Sequence, residues 1–224
     1  LEKYIRAEAV CKVFLEMTKE KEVVCSLRAY YEEESYDMLD GFTLNSAYRQ
    51  IEKESAVLQI VLEYFEQVDR VIYPLILKEG EEFLYLLLHE GINRLNQVAE
   101  VYIDENIRKL KVHKAPKIHI GLTLGPRLLE LKVVTKEFPM NEIMLLLENY
   151  RRRKKYYRMK NGDFMQIDDS SLALLAELYD GMDIKENEMH EGLIALPRFR
   201  ALYLDQILKD YQEDVEVIRN QAYN

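Results

Sequence analysis

The chain predicts an α+β fold: mixed antiparallel hairpins with packed helices, its C-terminal half ordered β-β-α-β-β-α. Three observations lead there. Val10–Met17 and Val23–Tyr31 are β-branched, apolar runs on either side of the charged stretch TKEKE, which reads as a hairpin. Longer stretches repeat their apolar residues at helical spacing. Asn161-Gly162 separates two short strand-like runs, and Asn-Gly is the strongest local hairpin signal.

The elements follow in order. In the first hairpin, turning near Lys19, Phe14 falls roughly opposite Cys25, so Cys11, three residues along, points to the other face. Glu32-Glu33-Glu34 is a solvated loop and Ser35–Leu39 a short strand. Leu44–Phe65 is a helix capped by Ser46, with Ala47, Ile51, Leu58, Leu62 and Phe65 on one face. Val71–Leu77, broken by Pro74, suits an edge strand. Glu79–Asn96 is a second helix with Phe83, Leu84, Leu87, Leu88, Ile92 and Leu95 inward, weakened by Gly91. Val98–Ile103 and Ile107–Val112 read as short strands.

In the second half, Ile118, Ile120, Leu122 and Leu124 alternate with polar or small residues, and Leu129, Leu131 and Val133 alternate again after Gly125-Pro126. Pro139 opens a helix with Ile143, Met144, Leu147 and Tyr150 on its core face. A hairpin over Lys154–Lys160 and Asp163–Asp168 follows. With a two-residue turn, Met159 faces Phe164 and Arg158 faces Met165. Asp169 or Ser170 caps a helix with Leu172, Leu175, Ala176 and Tyr179 inward, ended by Gly181. Met182–Gly192 is an acidic loop. Pro197 starts a closing helix with Leu204, Ile207, Leu208 and Tyr211 on one side, and the last residues are helical or frayed. The expected organisation is an N-terminal α+β subdomain over 1–112 and a ββαββα subdomain with its closing helix over 113–224, or one continuous domain.

Composition narrows the function. The 224 residues are 48% hydrophobic and 32% charged, with a net charge of −9. That balance supports a packed core and argues against nucleic acid covering the whole surface. The richest apolar run, Phe83 to Leu88, falls far short of the roughly 18–20 residues of a membrane span. No membrane partner is expected, and cytoplasmic localisation is. Without a starting Met or a signal-like core, the chain reads as a piece of a longer protein. Cys11 and Cys25 read as buried free thiols. The phosphate loop GxxxxGK[ST] is absent, as are GxGxxG, CxxC, HExxH and GxSxG. His89, His113, His119 and His190 are scattered, and His89 reads as structural or superficial. No catalytic residue, metal ligand or cofactor contact is expected in this chain. A small enzyme using surface carboxylates is the weakest rival.

The one dense positive charge is RRRKKYYRMK, from Arg151 to Lys160. Arg151, Arg152, Arg153, Lys154, Lys155, Arg158 and Lys160 are the candidate contacts to DNA or to a protein partner. Cations here also complement a helix C-terminus, and their stems can cover apolar surface. Tyr156 and Tyr157 read either as cross-strand packing or as a stacking surface for unpaired bases.

Residue order adds a resemblance. KKYYRMKNGDF, preceded by NEIMLLLENYRRR, resembles the helicase-associated domain of bacterial Swi/Snf-type ATPases. The matching positions are Tyr150, Lys154, Lys155, Tyr156, Tyr157, Arg158, Met159, Gly162 and Phe164, with Met159 where leucine is usual. VVCSLRAYY, EEFLYLLLHEGINRL, IHIGLTL with LLELKVV, and LPRFRALYLDQIL are similar to further family segments in the same order, from about Val10 to Tyr211. The resemblance implies a non-catalytic accessory domain, N-terminal to the paired motor lobes of a DNA-dependent ATPase. ATP and Mg would belong to that motor. The partners implied are the motor lobes of the same polypeptide and double-stranded DNA. The alternative is a stand-alone module that binds nucleic acid weakly or docks on a protein.

Overall fold

The computed structural model describes residues 8–32, 34–39, 49–68, 74–115, 117, 119–124, 128–134, 140–167, 169–184, 189–190, 192–210 and 217–219. It is a mixed α+β protein with several sheets. The chain divides into two compact units, Leu1–Val112 and His113–Asn224.

In the first unit, β1 (Val10–Met17) and β2 (Val23–Tyr31) form the long hairpin. Its sheet runs β4-β5-β2-β1-β6, where β4 is Phe65–Glu66, β5 Leu75–Leu77 and β6 Glu100–Ile103, and β3 (Glu34–Asp37) also pairs with β2. β1 and β6 are parallel. Leu15, rather than Phe14, lies opposite Cys25. The reason is a three-residue loop: the Thr18 amide bonds to Glu22 O, the Lys21 amide bonds to Thr18 O, and Lys21 takes a positive φ of 66°. A slip of one residue turns every side chain to the opposite face. Cys11 and Cys25 therefore share the buried face with Val13, Leu15 and Leu27, as free thiols. β5 is also an interior strand, because β4 covers the side expected to be open. Pro74 precedes β5, where its missing amide costs no ladder bond.

Helix α1 spans Ile51–Tyr64. Its predicted start, with Ser46 and Ala47, lies outside the described residues. The buried face is Glu54, Val57, Val61 and Tyr64, while Ile51 and Leu62 are exposed. Periodicity misplaced the face because a carboxylate occupies one inward position. Glu54, only 5% exposed, is held by three hydrogen bonds from two side chains. Both Arg49 and the Tyr31 hydroxyl donate to it, the second Arg49 bond being 3.1 Å from Nε. The Tyr31 oxygen in turn accepts from the Gln50 amide at 2.8 Å.

The second helical run is broken in the middle. α2 (Glu81–Leu86) leads into a π turn over Leu87–Gly91, then α3 (Ile92–Asn96). Tyr85, Leu87 and Leu95 are buried. A Cβ on Gly91 would lie 2.9 Å from Tyr64 Cζ, so this glycine permits close helix packing. Ile107 belongs to a short helix, α4 (Glu105–Lys109), and is not part of a strand. Asp104 caps α4 by accepting from the Asn106 amide at 3.0 Å, and it also accepts from the Met17 amide at 3.1 Å. These two bonds hold its carboxyl below the usual carboxylate range.

In the second unit, one sheet runs β12-β13-β9-β8-β14. These strands are Met189–His190, Leu193–Pro197, Leu128–Val134, His119–Leu124 and Val217–Arg219. Two of them were expected as other structure. Met189–His190, inside the predicted Met182–Gly192 loop, pairs with Leu193–Pro197, and Pro197 ends a strand instead of opening a helix. Ile194 and Leu196 point inward and leave Pro197 at the strand's end. Val217–Arg219, expected as helical or frayed, pairs parallel with β8. Helices α5 (Met140–Arg151), α6 (Asp169–Gly181) and α7 (Ala201–Asp210) contribute Ile143, Leu147, Leu172, Leu175, Tyr179, Leu204 and Ile207 to the core. Pro139, Gly125-Pro126 and Tyr211 lie outside the described residues.

Candidate nucleic-acid or docking interface

The basic segment is shaped by two reversals of the chain. At the end of α5 the Arg153 amide bonds to Tyr150 O at 2.8 Å and the Lys154 amide to Asn149 O at 3.1 Å, with Arg153 at φ 56°. This is a Schellman motif with arginine at the left-handed position where glycine is usual. The chain then enters β10 (Tyr156–Arg158), which pairs with β11 (Phe164–Gln166). β11 also pairs with β7 (Val112–His113).

The hairpin register differs by one from the expected one. Arg158 lies opposite Phe164 and Tyr157 opposite Met165. The Met159 amide bonds to Asp163 O and the Gly162 amide to Met159 O, with Gly162 at φ 95°. The loop is therefore Lys160-Asn161-Gly162, a turn followed by one left-handed residue. The Asn161 side chain accepts from the Asp163 amide at 3.0 Å. His113 Nε2 meets Asp163 Oδ2 at 2.8 Å and pins the loop.

The register decides what each side chain can do. Tyr156 packs edge-on against Phe164, with ring centroids 5.4 Å apart. The Arg158 guanidinium lies 4.2 Å over the same buried ring. Tyr157 packs against the core beside Met159 and Ile167 and donates to Glu142 at 2.8 Å. Burial, then the bond to Glu142, pushes its hydroxyl up to about 12. Both tyrosines are half-buried and engaged in packing, so they form no open platform for bases. Arg151 pairs with Asp180 at 2.6 Å. Arg152, Arg153, Lys154, Lys155 and Lys160 are exposed and make no ion pair with a described residue.

The seven predicted residues thus divide. Five are exposed, Arg152–Lys155 as a ridge at the end of α5 and Lys160 in the hairpin loop; Arg151 is paired, and Arg158 covers an aromatic ring. Sequence reasoning missed Asp180, Glu142 and the His113–Asp163 contact. Asp163 beside Asn161-Gly162 carried a visible turn signal, whereas the others meet only through the fold. Among the described residues, no three of His, Cys, Asp or Glu are placed to hold a metal ion. Among them, too, no helix is long and apolar enough to cross a membrane.

A family model described as bacterial SNF2 helicase associated matches residues 1–224, the whole chain. The chain belongs to this family. It is a helicase-associated domain of SNF2 proteins, and the basic hairpin that suggested the resemblance lies inside the match. Neither the curated proteins nor the solved structures contain a match to this SNF2 helicase-associated chain.

Proposed function

We propose that this domain is a non-catalytic accessory module of a bacterial, cytoplasmic Swi/Snf-type DNA-dependent ATPase. It couples the motor lobes of the same polypeptide to double-stranded DNA. ATP and Mg bind the motor, and the module contributes charge and position. The observation that carries this reading is five exposed cations without a described ion-pair partner, four of them consecutive through the Schellman motif and the fifth in the hairpin loop. Such a ridge suits phosphates, which attract Lys and Arg without regard to sequence. The engaged tyrosines argue against recognition of unpaired bases.

The test is the DNA-stimulated ATPase of the parent protein with Arg152, Arg153, Lys154 and Lys155 changed to Glu. The DNA concentration at half-stimulation should rise about tenfold or more, while the rate at saturating DNA is retained. An unchanged half-stimulation point refutes the role of the ridge. Equal ATPase rates after removal of the whole segment, with and without DNA, refute the accessory role itself.

A further inference from the structure

The first unit contains a cavity of about 330 Å³ bordered by the π turn, α3 and α4. Leu88, Ile92, Ile103 and Leu110 line its walls, and Ile107, fully buried, lies beneath. Its remaining polar side chains are Arg108, Lys111 and His89. Among the described residues, no carboxylate lines it. That is unexpected in this unit, where residues 1–112 hold 22 Asp and Glu against 14 Lys and Arg, a net charge of −8.

The backbone builds the cavity deliberately. The π turn over Leu87–Gly91 shifts the phase of the helical run, a device that recurs at functional sites. It carries Leu88 and His89 to the cavity, and Ile92 follows. His89 is stacked on Tyr85 with ring centroids 5.3 Å apart. Arg108 is steadied by donating to Ile103 O at 3.2 Å, and Lys111 by donating to Arg108 O at 3.2 Å. Arg108 and Lys111 thus border the aliphatic residues of the cavity.

We infer that this cavity binds a small organic anion with an aliphatic body, of the class of branched short-chain carboxylates. The aliphatic walls take the body and the Arg108–Lys111 edge takes the carboxylate. The volume lies at the lower end of small-molecule sites, roughly 300–1,000 Å³, and is too small for a folded partner or a nucleic-acid strand. A neutral ligand of the same shape would gain the walls and forgo the charge-assisted bonds.

The experiment is a methyl NMR titration of the 224-residue chain, labelled at Ile and Leu, with 4-methylpentanoate and with its neutral amide. The carboxylate should give saturable shifts at Ile92, Ile103 and Leu110, and the amide should bind about tenfold more weakly. In the double variant Arg108→Gln/Lys111→Gln, the advantage of the acid should vanish. The inference is overturned by no saturable shift up to ~10 mM, a concentration that still detects millimolar sites. It is also overturned by equal affinity for acid and amide in the unaltered chain, a comparison that does not depend on the variant folding.

Discussion

The two units have equal length and opposite ways of handling charge. Residues 1–112 are strongly acidic yet bury a carboxylate, Glu54, inside a network with Arg49 and Tyr31. Residues 113–224 hold 18 Asp and Glu against 17 Lys and Arg, close to neutral, and leave Arg152–Lys155 and Lys160 exposed. A buried pair is costly to break, because the remaining charge is stranded away from water. Exposed cations contribute little to stability and are available to a partner. The first unit therefore buries a charge network inside its fold, and the second leaves a run of cations exposed.

The sharpest way to break this comparison is to remove one charge from each unit. Glu54→Gln strands Arg49, whose side chain is 12% exposed, and should cost about 3–5 kcal/mol. Arg49→Met/Glu54→Met should recover part of that loss. Arg151→Ala removes an exposed pair and should cost less than about 1 kcal/mol. Urea unfolding at neutral pH, with a probe in each unit, reads all three. A cost for Glu54→Gln as small as that for Arg151→Ala would erase the distinction.

A smaller effect sharpens it. Gly91→Ala places a methyl against Tyr64, which is 2% exposed and held by Arg94 at 3.0 Å. The ring cannot retreat, so overpacking of about 1–3 kcal/mol outweighs the gain in helix propensity of roughly 1 kcal/mol. Gly181→Ala meets the Tyr203 hydroxyl even more closely, at 2.3 Å. Tyr203 is 42% exposed and can swing into water, so this substitution should be neutral or stabilising. Thermal melts distinguish the two signs.

Gly181 also shows how far sequence could carry the fold. The sequence predicts the helix end at this glycine, and α6 does end there. The reversal, however, is made two residues later by Asp183, at φ 49°, with the Ile184 amide bonded to Tyr179 O. Both hairpins were legible from their turn residues, but both registers slipped by one. Each loop has a third residue at positive φ, Lys21 or Gly162, and nothing in the alternation of strands records it. Strands β13 and β14 were missed for different reasons. Leu193–Pro197 hides behind a proline that also suits a helix start, and Val217–Arg219 depends on a partner almost a hundred residues earlier. At the site, the cations were plain from composition. Which of them are occupied depended on Asp180 and Phe164, which only the fold brings near.

The most direct test of the central claim, that the ridge is a phosphate-contacting surface, is the salt dependence of duplex DNA binding by the 224-residue chain. Fluorescence anisotropy should show weak binding without sequence preference. Three to five phosphate contacts correspond to a log–log salt slope of roughly −2.7 to −4.5, or about a 40- to 500-fold loss between 50 and 200 mM salt. With Arg152, Arg153, Lys154 and Lys155 changed to Ala, binding and slope should both collapse. Tight binding that survives physiological salt, or binding unaltered in that variant, would contradict the account.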